Sequence, residues 1–438
     1  PILLLNESLV LSAADGYAKA SGETAFVNVH LTAGTRQGSG QLYNSHFDGT
    51  PMVVTSGMRD AGDFGDHNTL GVSSGFSSMS VVQDVTKKRW EVRDPRGIPM
   101  ATRRAFKEAA TMPTGPVYLA YSSAALDAKN VEGKIVSAEP LETAYHPDTP
   151  KLESIHDALL NAENPLLVAG PDIQRARAQE EILELAENFA LPVAVGFYDY
   201  GSFPTKHPAF VGMVDNLDDE ASYDLVCCVG YRPNTRGNPS DDRFPNAYII
   251  GMGHDPALLG NTFPLDIGLW GNVKRSLTAL NQLWRTANSN LHQISKRRNE
   301  LRKKGQEKLI HRTEKALSHS NENPIHPEYL GQRMSDILAP NTLVVSENFR
   351  AADHLMPFGF THNDWRLVRT YGGSLGYGVG SAIGAQLGSP DTPLVLSIGD
   401  GSVMYSSSGF WTMARYSLPI LTIVWNNMNY QTVRTNFA

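Results

Sequence analysis

Short apolar runs alternate with segments of helical periodicity in the first third of the chain. NESLVLSAADGYAKASGE carries apolar residues at helical spacing, whereas TAFVNVHL has the composition of a strand. A Gly-rich loop, TAGTRQGSG, then leads to a helical QLYNSHF and a second strand, PMVVTSG, and GPVYLAYSS closes the region at about residue 123. This alternation is typical of a parallel sheet, so we expect an α/β domain over residues 1–140.

Two further series of the same kind follow a polar, Pro-containing segment. Residues 150–310 begin with the helical LESIHDALLNAE and contain the apolar runs PLLVAG, PVAVGF, YDLVCCVG and AYIIGMG, before a charged stretch at 288–319. Charges of both signs alternate in that stretch, which favours a solvated linker helix over a nucleic-acid contact. Residues 320–438 contain NPIHPEYLGQRMSDIL, the strand TLVVSEN and YGGSLGYGVGSAIGAQLG. We therefore predict an α/β protein of three doubly wound parallel-sheet domains.

The composition agrees with several packed cores and makes some kinds of partner improbable. The chain has 438 residues, 41% of them hydrophobic and 19% charged, with a formal net charge of -7. An acidic chain is a poor partner for nucleic acid, and its apolar runs stay below the ~18 residues of a membrane span. The two cysteines, Cys227 and Cys228, are adjacent in an apolar run, where disulfide geometry is unfavourable. We expect core thiols in a reducing compartment, the cytoplasm.

The segment GDGSVMYSSSGFWTMARYSLPILTIVWNN, residues 399–427, combines the groups that would hold a metal and a diphosphate. A strand ends in a Gly-rich turn and a helix begins there, and backbone N–H groups at a helix start favour a phosphate. Asp400 would repel that phosphate unless a divalent cation lay between them. Successive parallel strands can lie side by side, which would bring Asn427 close to Asp400. These two side chains and the Asn429 carbonyl could coordinate Mg²⁺; the alternative is an ordinary strand–turn–helix whose Asp caps the helix.

The spacing of GDG and NN resembles the fingerprint of thiamine diphosphate-dependent enzymes, in which the Asp and the second Asn bind the metal that anchors the cofactor. The resemblance extends over nearly the whole chain. NESLVLSAADGYAKASGETAFVNVHLTAGT is similar to the family's pyrimidine-binding domain, the middle region resembles its central domain, and YGGSLGYGVGSAIG resembles the segment beneath the cofactor. The His of NVH, the Gly-rich loop after it and HPE at 326 resemble the benzoylformate decarboxylase subgroup.

The resemblance implies proton-transfer roles for three residues. Glu7 stands where the family carries a helix-borne Glu that hydrogen-bonds N1′ of the aminopyrimidine ring, and a carboxylate buried against a ring can share that proton. His30 and His326 match the subgroup's two active-site histidines, which move protons near neutral pH. From the sequence alone, Glu7 could equally be a first-turn Glu favoured by the helix dipole, and either histidine could be structural.

The resemblance also implies contacts to both ends of the cofactor. The Gly373 carbonyl would accept a hydrogen bond from the 4′-amino group, and the Leu375 side chain, next to Ser374, would force the bent cofactor conformation. The residues implied for the diphosphate end are Gly399, Gly401, Ser402 and Tyr405. A dinucleotide site is the alternative for GYGVGSAIG, but its glycines are spaced GxGxxxG and not GxGxxG.

Two arginines depart from the pattern of the subgroup. Arg36 stands where the relatives carry a small or amide residue, and Arg369 stands where benzoylformate decarboxylase has an aromatic pocket residue. The loop at 59–68 is also more acidic and Gly-rich than its counterpart. Either arginine could serve at the surface, but one of them could instead meet an acidic or polar substrate.

The reaction implied is the non-oxidative decarboxylation of a 2-oxo acid to CO₂ and an aldehyde, with thiamine diphosphate and Mg²⁺. In the family the cofactor lies between the first domain of one subunit and the third of its partner, so we expect a homodimer or homotetramer. The alternatives are a carboligase of the acetohydroxyacid synthase type, a flavin-binding oxidase variant, and a non-catalytic cofactor-binding homologue. Because the chain starts without Met and stops at Ala438, we expect parts of the outer domains to be missing and see no signal peptide.

Overall fold

The computed structural model describes residues 1–60, 70–72, 77–135, 147–196, 199–231, 243–261, 264–286, 292–348, 366–429 and 434. Its helices are α1 (Glu7–Ser21), α2 (Leu31–Gln37), α3 (Ser39–Asp48), α4 (Ile98–Ala110), α5 (Ser123–Asp127), α6 (Thr149–Asn161), α7 (Asp172–Ala176), α8 (Gln179–Phe189), α9 (Val273–Thr286), α10 (His292–Ser318), α11 (Pro327–Ile337), α12 (Tyr377–Gly388), α13 (Asp400–Ser406) and α14 (Gly409–Arg415). Its strands are β1 (Ala25–Val29), β2 (Met52–Met58), β3 (Lys88–Val92), β4 (Pro116–Ser122), β5 (Pro165–Ala169), β6 (Val193–Val195), β7 (Phe210–Met213), β8 (Leu225–Val229), β9 (Tyr248–Gly253), β10 (Ile267–Trp270), β11 (Leu343–Glu347), β12 (Arg366–Val368), β13 (Leu394–Gly399) and β14 (Ile420–Trp425).

These strands form three sheets, in the orders β1-β2-β4-β3, β10-β9-β8-β5-β6-β7 and β12-β11-β13-β14. The neighbours with a described register run parallel, as in β1 with β2, β5 with β8, and β13 with β14. Their strands are largely buried, which is typical of parallel sheets covered by helices on both faces. The predicted three-domain α/β architecture is therefore confirmed.

The chain divides into two compact units. The first unit comprises residues 1–143, 342–349 and 367–438, with the two four-stranded sheets; the second comprises residues 144–341 and 350–366, with the six-stranded sheet. The predicted charged helix at 288–319 is confirmed as α10, which has the lowest mean hydropathy of the long helices. The segment of α11, from which the sequence pattern starts the third domain, belongs to the second unit.

The segment TAGTRQGSG, predicted to be a loop, is helical: α2 and α3 run through it. A Cβ on Gly34 would lie 2.5 Å from Oε1 of Glu7. Glycine at this position leaves room for the Glu7 side chain, so the residue reflects the packing of α2 against the start of α1 and not a loop. The consequence matters for the site, because the Glu7 carboxylate lies against the helix that follows His30.

Helices α1 and α12 pack backbone to backbone within the first unit. A Cβ on Gly16 would collide with the Ser381 backbone, and one on Gly384 with the Ala13 carbonyl. Leu9 of α1 joins the buried cluster formed by α12 and the β11, β13 strands. The glycines of GYGVGSAIG therefore serve a helix–helix contact, which argues against a dinucleotide loop in this segment.

We expect Gly384→Ala to lower the free energy of unfolding of the first unit by about 2–3 kcal/mol, because the added methyl group must push α1 and α12 apart. Thermal and urea unfolding would measure the change. Gly97→Ala is the matched control: a Cβ there would have nothing within 4 Å, so an effect within about 0.5 kcal/mol is expected. Equal losses in both variants would contradict the packing argument.

The two cysteines lie on the buried strand β8, and neither forms a disulfide. Cys227 is fully buried, and burial raises the pKa of the Cys228 thiol to about 12. Both therefore stay protonated at neutral pH, which confirms their interpretation as inert core thiols. None of the described helices combines the length and the apolar character needed to cross a membrane.

Candidate active site

The ends of β13 and β14 bring the predicted metal ligands to one edge of the third sheet. The two strands pair in parallel with Gly399 opposite Trp425, so Asp400 and the asparagines after β14 leave the sheet side by side. Asp400 is the first residue of α13, and its Oδ1 accepts a hydrogen bond from the Gly401 N–H at 2.9 Å. The predicted adjacency of strand ends is thus observed, at the carboxyl edge where ligands of α/β sheets bind.

The turn after β14 has a strained backbone. Asn426 Oδ1 accepts from the Met428 N–H, and Asn427 Oδ1 accepts from the Asn429 N–H, both at 2.9 Å. Met428 has a φ of 50° although its side chain is 89% exposed, so packing does not explain this left-handed conformation. Together with Asp400, the turn offers carboxylate, amide and carbonyl oxygens, which is the donor set that Mg²⁺ prefers. The residues present fit a divalent cation.

The glycine loop, residues 371–376, is held by polar side chains of α3. Asn44 donates from Nδ2 to the Ser374 carbonyl at 2.9 Å and accepts on Oδ1 from the Ser374 N–H at 3.0 Å. Gln41 Nε2 donates to the Leu375 carbonyl at 2.8 Å. The pattern analysis missed Gln41 and Asn44; the available signal was the presence of amide side chains on the buried face of a helix. These contacts fix the backbone of two residues implied for the cofactor.

A buried ion cluster binds the backbone at the start of the same loop. Lys19 Nζ lies 2.7 Å from Asp15 Oδ1 and 2.6 Å from Asp48 Oδ2, and it donates to the Arg369 carbonyl at 2.7 Å. Asp48 Oδ1 accepts from the Tyr371 N–H at 3.0 Å. Because the two carboxylates are almost fully buried and share one cation, removal of Lys19 would leave two buried negative charges uncompensated. The loop therefore enters the site in one fixed conformation.

Glu347, at the end of β11, is a site residue that the pattern analysis missed. Its carboxylate is buried, with Oε1 accepting from the Gly376 N–H at 2.7 Å and Oε2 from the Gly378 N–H at 2.6 Å. The Ser402 hydroxyl also hydrogen-bonds to this carboxylate. Burial raises the pKa of Glu347 to about 7, against the lowering effect of these hydrogen bonds. The signal that could have identified it is an acidic residue ending the apolar run LVVSE.

The raised pKa of Glu347 makes stability depend on pH. Between about pH 4.5 and 7 the folded protein holds a proton that the unfolded chain has lost, so the free energy of unfolding should fall as the pH rises through this window. The loss should total about 3 kcal/mol and level off above pH 7. Urea unfolding from pH 4.5 to 8 would measure it, and Glu347→Gln should flatten this part of the profile. An identical profile in the variant would contradict the assignment to Glu347.

Glu7 and His30 both contact α2. The carboxylate of Glu7 lies against Gly34, whose N–H donates to the His30 carbonyl at 2.9 Å. Asn6, which caps α1, donates from Nδ2 to the Ser408 hydroxyl at 3.1 Å, so the start of α1 lies beside the segment after α13. Glu7 thus contacts α2 one helical turn after His30, and both residues belong to the unit that contains Asp400.

His326 belongs to the second unit. It caps α11, with Nδ1 accepting from the Glu328 N–H at 3.3 Å. Its ring stacks on the His319 ring at a centroid distance of 3.7 Å, and His319 Nδ1 lies 2.6 Å from Glu322 Oε1. These are the contacts of a structural helix cap, and the catalytic role of His326 stays a prediction.

The two arginines that depart from the subgroup pattern have different surroundings. Arg369 lines a cleft together with Glu347, Gly373 and Leu375, and its guanidinium lies 4.9 Å from the ring centroid of Tyr371. Arg36, on α2, is exposed. The cleft is beside the glycine loop, so Arg369 is the arginine that a ligand there would meet. Most of the loop at 59–68 lies outside the described residues.

Three family models match the chain in the order of its domains. The N-terminal thiamine pyrophosphate-binding domain matches residues 1–79, the central domain of thiamine pyrophosphate enzymes matches residues 152–280, and the C-terminal thiamine pyrophosphate-binding domain matches residues 351–436. Together they cover well over half of the chain. The fold and the site thus define a thiamine pyrophosphate-dependent α/β enzyme. The chain belongs to the thiamine pyrophosphate enzyme family.

Several known proteins are similar to the chain over almost its whole length. Benzoylformate decarboxylase of Pseudomonas aeruginosa is 29% identical, covering 99% of this chain and 80% of that protein. The acetolactate synthase large subunit of Corynebacterium glutamicum is 26% identical, covering 99% of this chain and 69% of that protein. The structure of the Rhodococcus jostii thiamine diphosphate-dependent 4-hydroxybenzoylformate decarboxylase has a TM-score of 0.80 at 23% identity, covering 99% of this chain and 80% of that chain. The last likeness concerns the fold alone.

Proposed function

We propose that the protein is a thiamine diphosphate- and Mg²⁺-dependent decarboxylase that converts a 2-oxo acid to CO₂ and an aldehyde. The observation that carries this proposal is the position of Asp400 and Asn427 at the ends of two paired parallel strands, inside the matched C-terminal cofactor-binding domain. The similarity to benzoylformate decarboxylase supports the choice of reaction.

Different residues of the chain would bind the metal, the diphosphate and the rings of the cofactor. Asp400, Asn427 and the Asn429 carbonyl would hold Mg²⁺, while N–H groups at the start of α13, near Gly401 and Ser402, would meet the diphosphate. When bound, the cofactor would accept the electron pair left by departing CO₂. The remaining implied contacts, Gly373, Ser374, Leu375, Gly399 and Tyr405, would orient its rings and diphosphate.

Two side chains, Glu7 and His30, would bind and transfer protons. Glu7 would hold a proton at N1′ of the aminopyrimidine, and its carboxylate lies against Gly34, one turn along α2 from His30. His30 is exposed at the carboxyl end of β1 and follows a strand that is buried at its last residue. It could therefore deliver a proton to the carbon from which CO₂ has left.

A panel of aromatic and aliphatic 2-oxo acids, with added thiamine diphosphate and Mg²⁺, tests the proposal. We expect CO₂ and the matching aldehyde from at least one acid, and we expect EDTA treatment to stop the reaction until Mg²⁺ is returned. A full panel without CO₂ from a folded protein that binds the cofactor would favour the non-catalytic homologue instead.

Carboligation is the second candidate, because acetolactate synthase large subunits are also similar to the chain. In that reaction the two-carbon fragment left after CO₂ release joins a second carbonyl compound, so no free aldehyde accumulates. Analysis of the products from pyruvate, alone and with a second oxo acid, separates the candidates. An acetolactate-type product at the rate of CO₂ release would replace the decarboxylase proposal.

Arg369→Leu should raise the KM of an acidic or polar substrate about tenfold or more and change kcat less, because the guanidinium would pair with the substrate before and during the reaction. Arg36→Leu, at an exposed position of α2, is the matched control and should change neither constant. Steady-state kinetics with the best acid of the panel would check both. An unchanged KM in Arg369→Leu would remove this residue from the substrate site.

We also propose a homodimer or homotetramer with active sites shared between subunits, and a reducing, cytoplasmic location. The unlinked thiols of Cys227 and Cys228 support the location. The exposed apolar side chains on α13 and after it, Met404, Tyr405 and Trp411, support burial of this face by a partner. Light scattering at several protein concentrations would give the oligomeric state.

A further inference from the structure

Glu347 contacts both segments that the proposed function assigns to the cofactor. The N–H groups of Gly376 and Gly378 bind separate oxygens of its carboxylate, at 2.7 and 2.6 Å. The Ser402 hydroxyl, in the first turn of α13, binds the same carboxylate. One buried side chain therefore connects the end of the glycine loop with the turn that carries Asp400.

The local sequence is adapted to this contact. Gly376 has a φ of 87°, which a residue with a side chain rarely adopts, and its N–H is directed to Glu347 in this conformation. A Cβ on Gly378 would lie 3.0 Å from both the Cβ and Oε2 of Glu347. Glycine at both positions lets the backbone approach the carboxylate closely enough for two short hydrogen bonds.

We propose that Glu347 is a positioning residue, a carboxylate clamp that holds the glycine loop at a fixed distance from the start of α13. The clamp rests on the proposed function, since it would keep the sites for the two ends of the cofactor in register. Glu347 acts through backbone groups, and no catalytic role is assigned to it.

A stabilising role alone does not explain this carboxylate. Burial of an ionisable group is costly, and an apolar side chain of the same volume usually stabilises a core more. What a carboxylate provides here, and an apolar residue or an amide does not, is two acceptor oxygens for two N–H groups plus a third site for a hydroxyl. A Gln would present an NH₂ group to one of the glycine N–H groups, and an Asp would be one methylene too short to reach both.

Amide hydrogen exchange on the cofactor-free protein tests the clamp directly. In Glu347→Gln, exchange in a peptide that includes Gly376 and Gly378 should accelerate about tenfold or more, whereas peptides from β13 and β14 should change little. Glu347→Asp should give an intermediate acceleration. Asp172→Asn is the matched control: it removes the charge of a buried carboxylate of the second unit, which pairs with Arg175 at 2.8 Å. Unchanged exchange in Glu347→Gln would overturn the clamp.

Kinetics of the same variants separate positioning from general stability. Misplacement of the loop should lower kcat about 10–100-fold in Glu347→Gln, with Glu347→Asp recovering part of the loss, while Asp172→Asn should lower the melting temperature without a matching loss of kcat. A fall in kcat that follows the melting temperature across all three variants would contradict positioning. If exchange responds as expected but no 2-oxo acid is turned over, the clamp stands and the proposed function fails.

Discussion

Asp400→Ala is expected to lower turnover on the order of 100-fold or more and to weaken binding of thiamine diphosphate, because the alanine leaves the proposed Mg²⁺ without its carboxylate ligand. The carboxylate stands at the first residue of α13, directly after β13, and carries the negative charge of the predicted ligand set. Its loss should therefore raise the Mg²⁺ concentration needed for half-maximal cofactor binding more than it raises the KM of the acid.

Calorimetric titration of cofactor at several Mg²⁺ concentrations would measure this, independently of activity. The matched control is Asp391→Ala, which removes an exposed carboxylate shortly before β13 and should leave binding unchanged. Cofactor binding in Asp400→Ala with an unchanged Mg²⁺ requirement would exclude Asp400 as a ligand and remove the main support for the proposed function.

Glu7→Gln is expected to lower turnover by about 10²–10⁴-fold, while cofactor binding weakens far less. An amide has nearly the shape of the carboxylate but cannot share a proton with N1′ in the same way. Exchange of the thiazolium C2 proton for deuterium should slow by a comparable factor. The exchange takes place in deuterated buffer, is stopped with acid and is measured by NMR. Glu23→Gln, an exposed Glu just beyond the end of α1, is the control and should behave as the wild type. Rapid C2 exchange in Glu7→Gln would contradict the role.

The two inactive variants together test how subunits share a site. If Glu7 of one subunit and Asp400 of its partner serve the same cofactor, a refolded equimolar mixture of Glu7→Gln and Asp400→Ala should regain about a quarter of wild-type activity, because half of the dimers are mixed and each has one intact site. If both residues serve a site within one chain, the mixture should stay inactive.

The sequence was informative where the periodicity of the chain decides the structure. The buried strand β13 needs a continuous apolar run, and the less buried edge strand β14 carries one as well, so both strands are predictable from their apolar runs and the polar residues that follow them. Because parallel strands present their carboxyl ends at one edge, the meeting of the ends of β13 and β14, which Asp400 and Asn427 follow, could be predicted from their order along the chain. The charged linker helix and the core cysteines were predictable for the same local reason.

Contacts between distant segments could not be predicted in this way. The glycines of TAGTRQGSG predict a loop, although α2 and α3 run through this segment and Gly34 makes room for the Glu7 side chain of another helix. Two of the side chains that bind the glycine loop are far from it in the sequence. Asn44 is about 330 positions from its partner in the loop, and Glu347 is about 29 positions from its partner. Their amide and carboxylate groups carry no periodic signal of their own.

By itself, the sequence determined the fold class, the order of the domains and the residue types of the segment proposed to bind a metal, since these follow from local periodicity and from residue types at fixed spacing. Only the tertiary structure decided which groups surround the glycine loop, that Glu347 connects the loop to α13, and that His326 caps a helix of the second unit. The physical reason is that a buried polar group must find its partners wherever the fold brings them, and such partners are specified by packing and not by neighbours along the chain.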